Sequence, residues 1–324
     1  MAKIPYREQE RDLGIIFHQP VLLKEVIKSL KIEPGQIFID ATIGQGGHSQ
    51  EIIKSGGLVI GIDQDPEALV WARKKLRSAC PTPLYPEQRE VMNQASGFAK
   101  QPYQLLVDNF ANLKEVAQKL KLETVEGIIF DLGASLYQLT KKERGFSFKS
   151  DNLDMRMSPE LKVTAADLIA ALSENELYQI FTKFSQERHA RAIARAIVRA
   201  RKIAPITSGK KLARIIEEVS GFHKKGRIHP ATKAFQALRI AVNDELNNLK
   251  KALPQAEELL ATGGKLVVIS FHEGEDKIVK DFFRDQFRKK KLTTIIKKPI
   301  IPTAEEIRLN PSARSAKLRI AQKN

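Results

Sequence analysis

The sequence is poor in residues that staple or anchor a chain. It has one cysteine, Cys80, in 324 residues, so no internal disulfide forms and a reducing compartment is expected. It contains neither a C-x-x-C pair nor an H-E-x-x-H helix, so no metal site is assigned. Its apolar stretches fall well short of the ~18 residues that a membrane span requires. Residues 1–14 carry Arg7, Glu8, Glu10, Arg11 and Asp12 without an apolar core, which is unlike a signal peptide. Eighteen glycines and fifteen prolines are too few for a collagen-like or low-complexity chain. These absences lead to the expectation of a cytoplasmic globular protein with no membrane partner.

The chain is long enough for about two domains of ~150 residues. Lysine and arginine number 54 against 38 acidic residues, a formal net charge of +16. The excess is concentrated: residues 183–239 carry +12 and residues 286–324 carry +9, leaving the rest at −5. A slightly acidic body with two basic segments suits a polyanion such as nucleic acid.

Continuous Ile- and Val-rich runs at 36–43, 58–63, 103–108, 127–132 and 265–271 predict strands buried on both faces of a parallel sheet. Helical patterns at 21–30, 48–54 and 66–76 alternate with them, the last opening on Pro66 after Asp65. The class is therefore α/β, with a doubly wound sheet. Runs at 292–296 and 316–321 predict an antiparallel pair at the sheet edge. The alternation stops across 138–239, which reads as helices at 164–171, 173–184, 187–203, 209–219 and 231–249. Ser173 and Glu176 there have capping-box spacing. The predicted organisation is a discontinuous domain, 1–137 and 241–324, with a helical insertion at 138–240. The Pro-rich stretch 78–102 is expected to be an exposed, mobile loop.

Asp40-Ala41-Thr42-Ile43-Gly44-Gln45-Gly46-Gly47-His48 follows the first strand and opens a helix. Glycines there let the backbone approach a ligand, and free N–H groups at the helix start favour an anionic group. Asp63 ends the next strand, 19 residues after Gly44, where an acid can take both ribose hydroxyls of a nucleoside. A dinucleotide site would want a third glycine at position 49, which is Ser49. With Asp131 ending the fourth strand, the pattern looks like the S-adenosylmethionine (SAM) site of Rossmann-like methyltransferases. In that arrangement Asp108-Asn109-Phe110 packs along the adenine; alternatively, Phe110 is a core aromatic capping its strand.

The chain resembles the bacterial 16S rRNA cytosine-N4 methyltransferases called RsmH or MraW, almost end to end. The segments that carry the resemblance are 38–48 (FIDATIGQGGH), 131–133 (DLG), 143–148 (ERGFSF), 153–157 (LDMRM), 186–192 (QERHARA), 229–239 (HPATKAFQALR), 270–272 (SFH) and 313–319 (ARSAKLR). The resemblance implies a Rossmann-like SAM-dependent enzyme that methylates N4 of a cytidine, position 1402 in the usual rRNA numbering, in 16S rRNA of the 30S subunit. It places the cofactor on Gly46, Gly47, His48, Asp63, Phe110, Asp131 and Gln138. Three departures stand out. Ala134-Ser135-Leu136-Tyr137-Gln138 replaces the usual Val-Ser-Ser-Pro-Gln, Glu273-Gly274 replaces Ser-Leu, and the 78–102 stretch is longer. The oligomeric state is left open, a homodimer included.

Asp131 is expected to accept a hydrogen bond from the target amine, the proton going to Asp131 or to water. Because the base must leave its stack, a clamp is expected, with Tyr137, Phe146 and Phe148 as candidates; Tyr137 is alternatively a neutral loop substitution. Met155 and Met157 read as core, and Arg156 as a phosphate or SAM-carboxylate contact. Arg188, Arg191, Arg195 and Arg199 recur at three or four residues on one helical face and are assigned to RNA phosphate, with Arg227, Lys233 and Arg239 continuing the track. His272, beside Glu273, Glu275 and Asp276, is read as an active-site or structural hydrogen-bonding residue. Two other readings remain open: methylation of another RNA or of DNA, and a ribosome-assembly factor with vestigial activity.

Overall fold

Seven strands form one sheet: β1 (Ile37–Asp40), β2 (Leu58–Asp63), β3 (Tyr103–Val107), β4 (Val125–Asp131), β5 (Leu260–Ser270), β6 (Leu292–Thr294) and β7 (Lys317–Lys323). They come from a computed structural model that describes residues 19–80, 84–94, 98, 101–221 and 229–324. The strand order is β3-β2-β1-β4-β5-β7-β6. The first five strands are parallel, and β7 runs antiparallel between β5 and the edge strand β6. The order reverses between β1 and β4, a switch point where open α/β sheets bind ligands beyond their carboxyl ends.

The continuous apolar runs are explained by two covered faces. Ile39, Leu58, Ile60, Ile128, Phe130, Leu266 and Val268 enter one buried cluster. Their alternating neighbours Phe38, Val59, Ile129, Val267 and Ile269 enter another. Helices α1 (Leu23–Leu30), α2 (Gly47–Lys54), α3 (Pro66–Arg77), α4 (Pro86–Gln94) and α5 (Leu113–Lys119) occur along the first part of this unit. Asp65 caps α3 by accepting from Glu67 N at 3.1 Å, with Pro66 in the first turn.

The chain divides into two compact units, Met1–Gly133 with Asn248–Asn324, and Ala134–Asn247. The second unit holds α6 (Leu136–Thr140), α7 (Ala165–Ala171), α8 (Glu174–Ser185), α9 (Ala190–Ile203), α10 (Gly209–Ser220) and α11 (Ala231–Asn243). It has its own core, to which Leu153, Met155, Phe181, Ile193, Ile197, Leu212 and Leu238 belong. Ser173 caps α8 reciprocally with Glu176.

Three boundaries differ from expectation. The run 231–249 is two helices, because Asp244 takes a left-handed conformation (φ 49°) and ends α11. The next helix, α12 (Glu245–Leu259), continues through Pro254. Proline removes one helical hydrogen bond, but Ala252, Leu253 and Ala256 are buried in the sheet unit's core, which offsets the loss. The stretch expected to be a loop at 78–102 contains α4, where fully buried Gln88 donates to the Gly57 carbonyl at 3.2 Å. Finally, α9 starts at Ala190, so Arg188 lies in the turn before it.

Candidate functional site

The glycine turn is built by backbone geometry. Gly44 (φ +50°) and Gly46 (φ +78°) occupy the left-handed region, where a side chain is strained. Gly47 opens α2 with an ordinary φ, but a Cβ there would lie 2.3 Å from Pro20 Cγ. Above Gly44 there is space, since a Cβ would meet only Thr42 O at 3.9 Å.

Asp63, at the end of β2, is fixed by one backbone donor on each oxygen. Gly44 N donates to Oδ2 and Asp65 N to Oδ1, both at 2.9 Å. Each oxygen keeps a lone pair for a ribose hydroxyl. Burial raises the Asp63 pKa to about 7, with smaller opposing contributions from these backbone bonds. Asp40 ends β1 and accepts from Ser49 Oγ at 2.6 Å. Burial raises it to about 6 against that bond. Ser49, at the position of a dinucleotide site's third glycine, therefore holds a carboxyl group.

Asp131 ends β4, and its backbone N donates to Thr42 Oγ1 at 2.6 Å, tying β4 to the glycine turn. Its Oδ2 lies 3.7 Å from His48 Nδ1, while His48 Nε2 is 3.0 Å from the Val21 carbonyl oxygen. Its Oδ1 is buried with no hydrogen-bond partner among the described residues. Burial, and then the charges of Asp40 and Glu275, raise the Asp131 pKa to about 8. An orphaned carboxyl oxygen among like charges is a place for a cation or a hydrogen-bond donor. The open glycine face, the paired lone pairs of Asp63 and the orphaned Asp131 oxygen together fit a nucleoside bearing a positive charge, as SAM does.

Phe110 lies in the short turn after β3 and packs edge-on against Phe130, ring centroids 5.7 Å apart. Asn109 beside it donates to Gln64 at 3.0 Å, joining the turns that follow β2 and β3. Gly46, Gly47, His48, Asp63, Phe110 and Asp131 thus all belong to the sheet unit, at or just beyond the carboxyl ends of its strands. The His48 ring faces Val21 and Asp131. Gln138 belongs to the second unit, where it is buried and caps α6 reciprocally with Ser135.

Several side chains of the second unit are committed internally. Arg156 does not offer its guanidinium to a ligand, because it pairs with both oxygens of Asp154 at 2.7 and 2.8 Å and donates to Leu161 O. Phe146 is core. Phe148 stacks on His229 at 4.4 Å and meets Phe235 edge-on. Tyr137 is half-buried, with Lys141 Nζ donating to its hydroxyl at 3.0 Å. Arg188, Arg191, Arg195 and Arg199 are exposed. Arg191 lies over the Tyr178 ring at 4.5 Å, and Arg195 reaches Glu174 at 3.4 Å. Exposed Lys233 donates to the Gln186 carbonyl. Arg239 departs from the track: it is largely buried and bidentate on Glu245 at 2.8 and 2.9 Å. Arg227 lies outside the described residues.

At the end of β5, His272 caps α13 (Glu273–Arg288), its Nδ1 accepting from Glu275 N at 3.4 Å. Glu275 accepts from Phe271 N at 2.8 Å, and Asp276 pairs with Arg319 at 2.7 Å. Sequence reasoning missed Thr42 and Ser49 as supports of the acids. Both hydroxyls lie within the motif, but nothing in its spacing says which carboxyl or backbone group they hold.

A family model described as the MraW methylase family matches residues 15–324. A ribosomal RNA small subunit methyltransferase H from Dehalococcoides mccartyi is 42% identical, over 94% of this chain and 86% of that protein. One of the same name from Carboxydothermus hydrogenoformans is 41% identical, over 94% and 97%. A third, from Dictyoglomus turgidum, is 42% identical, over 95% and 98%. Among solved structures, a putative methyltransferase from Streptococcus mutans in complex with SAH aligns with TM-score 0.43 at 13% identity, over 95% of this chain and 100% of that one.

Proposed function

Since the chain belongs to the MraW methylase family, we propose that it transfers a methyl group from SAM to N4 of a cytidine in 16S rRNA of the small ribosomal subunit. The observation that carries the chemistry is Asp131, a half-buried carboxyl group at the end of β4 whose buried Oδ1 has no hydrogen-bond partner among the described residues. SAM, when bound, supplies a methyl group on a positively charged sulfur. The chain's own groups do the rest.

Asp63 accepts hydrogen bonds from the ribose hydroxyls, already oriented by Gly44 N and Asp65 N. The glycine turn would admit the methionine part against bare backbone, and Phe110 would lie along the adenine. Asp131 accepts a hydrogen bond from the cytosine amine, whose lone pair is delocalised into the ring. Asp63 and the glycine turn would hold SAM so that it supplies the methyl carbon to that nitrogen and keeps the electron pair of the carbon–sulfur bond. The surplus N4 proton goes to Asp131. Holding two reactants in line is worth up to about 7–11 kcal/mol, and positioned proton acceptance adds about 10²–10⁴-fold. Asp131 must be ionised to accept the proton, and a cation bound against it favours that form.

The exposed arginines 188, 191, 195 and 199, with Lys233, are proposed to bind RNA phosphates, and Gln138 to reach the cofactor. A ribosomal substrate supports a cytoplasmic location. The test is methyl transfer from labelled SAM to 30S particles lacking the modification, with digestion and mass spectrometry of the product. Free 16S rRNA and 50S particles run alongside. N4-methylcytidine on the 30S sample supports the reading. SAM binding without product on any small-subunit RNA overturns it in favour of an assembly factor.

A further inference from the structure

The sheet unit carries a cleft of about 320 Å³ lined by Phe271, His272, Ile301, Pro302, Arg314 and Lys317 among others. It forms where β5 gives way to α13 and where β7 begins. Strand register sets it beside the proposed reaction centre. Ile269 lies opposite Asp131, Leu132 N donates to the Ile269 carbonyl at 3.0 Å, and Ser270 lies opposite Lys317. The cleft therefore starts two residues beyond the β5 position that flanks Asp131.

Three cations, Arg314, Lys317 and Arg319, stand at or beside it against two carboxylates, Asp276 and Glu273. Asp276 is gripped by Arg319 at 2.7 and 3.2 Å, and Lys317 stands 3.4 Å from the same carboxylate. Two cations thus share one anion. Arg314 is exposed between buried Ala313 and Ala316, in the short turn Pro311–Ser315, and has no acidic partner among the described residues. On the apolar side Ile301 is 65% exposed next to buried Pro302. A guanidinium without an acidic partner among the described residues, next to the exposed Ile301 side chain, suits a base attached to a phosphate. The volume is at the small end of ligand sites, about 300–1,000 Å³, so it suits one nucleotide and not a duplex.

We propose that this cleft is a second nucleotide subsite, which takes a nucleotide of the substrate RNA neighbouring the target, its phosphate on Arg314 and Lys317 and its base against Ile301 and Pro302. The proposal rests on the RNA-methyltransferase reading above and deepens it. Two splayed nucleotides held on one strand edge fix the target more firmly than one, because each removes rotational freedom from the other.

The test measures binding of unmethylated 30S particles to the wild type, Arg314→Gln and Arg314→Lys across a salt series, with methyl transfer and thermal unfolding recorded on each. Arg314→Gln is expected to weaken particle binding about tenfold and to flatten the log–log salt slope by about 0.7, the value for one single-stranded phosphate contact. KM for the particle rises by more than kcat falls. Arg314→Lys restores the slope, and SAM affinity stays the same in all three. An unchanged slope and KM in Arg314→Gln overturns the subsite. So does a fall in melting temperature or SAM affinity that Arg314→Lys shares. A wild type that binds 30S particles without methylating them removes the function reading, while the salt slopes still decide whether the cleft holds a phosphate.

Discussion

His48 Nδ1 stands 3.7 Å from Asp131 Oδ2, with the far side of the ring held on the Val21 carbonyl at 3.0 Å. A carbonyl only accepts, so Nε2 carries a proton, and Nδ1 is the ring atom turned toward Asp131. At 3.7 Å the two are near neighbours rather than hydrogen-bond partners. Replacing His48 with Phe removes that polar neighbour at similar size. SAM affinity is expected to change less than kcat, which equilibrium binding and single-turnover rates on one preparation would show.

Asp131→Asn keeps a hydrogen-bond acceptor and removes the base. The expected loss in kcat/KM is about 10²–10⁴-fold, with SAM still bound. Full activity in Asp131→Asn assigns the proton to water.

The rate follows the ionised form of Asp131, whose pKa in the free enzyme is raised to about 8. Below that value kcat/KM falls about tenfold for each pH unit, and above it the profile is level. The corresponding break in kcat lies lower, because a bound cation favours the carboxylate. Initial rates between pH 6 and 9 test both breaks.

Stability moves in the opposite direction. Asp40, Asp63 and Asp131 are raised from 3.8 to about 6, 7 and 8. The folded state then binds more protons than the unfolded one between those values, so stability falls as pH rises from about 4 to about 8. The melting temperature without ligand is expected to drop across that window. Asp63→Asn makes the drop shallower, as calorimetry at several pH values would reveal.

Gly47→Ala tests the packing beneath the turn. Its Cβ would meet Pro20 Cγ at 2.3 Å, and overpacking of that kind costs about 1–3 kcal/mol. A lower melting temperature and weaker SAM binding are expected together.

The arginines should separate into two classes. Arg191→Gln and Arg195→Gln, both on exposed positions of α9, flatten the salt dependence of RNA binding by about 0.7 each with little change in unfolding. Arg239→Gln leaves Glu245 largely buried without its bidentate partner and acts on unfolding, since breaking a buried pair costs about 3–5 kcal/mol.

The sheet is legible in the sequence because β2 and β5 are covered on both faces, which forces near-continuous Ile and Val. Asp63 and Asp131 are legible because a parallel strand delivers its last residue to the ligand edge. Side-chain commitments are less legible. The spacing of Arg239 matches a phosphate track, yet Glu245, six residues on and past a helix break, takes it. Arg156 sits two residues from the Asp154 that neutralises it. α4 is hidden because prolines at 81, 83, 86 and 102 read as loop, although Pro86 is the first residue of that helix. Its buried Gln88 is held by a carbonyl thirty-one residues away.

Strands β4 and β5 pair side by side, yet residues 132–259 separate them in the chain. During synthesis β1 to β4 emerge first, and β4 waits with an open edge that invites pairing with other chains. The 134–247 unit has a hydrophobic core of its own and can collapse in that interval. Closing a coil of such length is entropically costly, and prior compaction of the intervening segment removes most of that cost. The insertion therefore also sets the order of folding: late registration of β5, and after it β7 and β6, completes the sheet edge on which both the proposed reaction centre and the cleft depend.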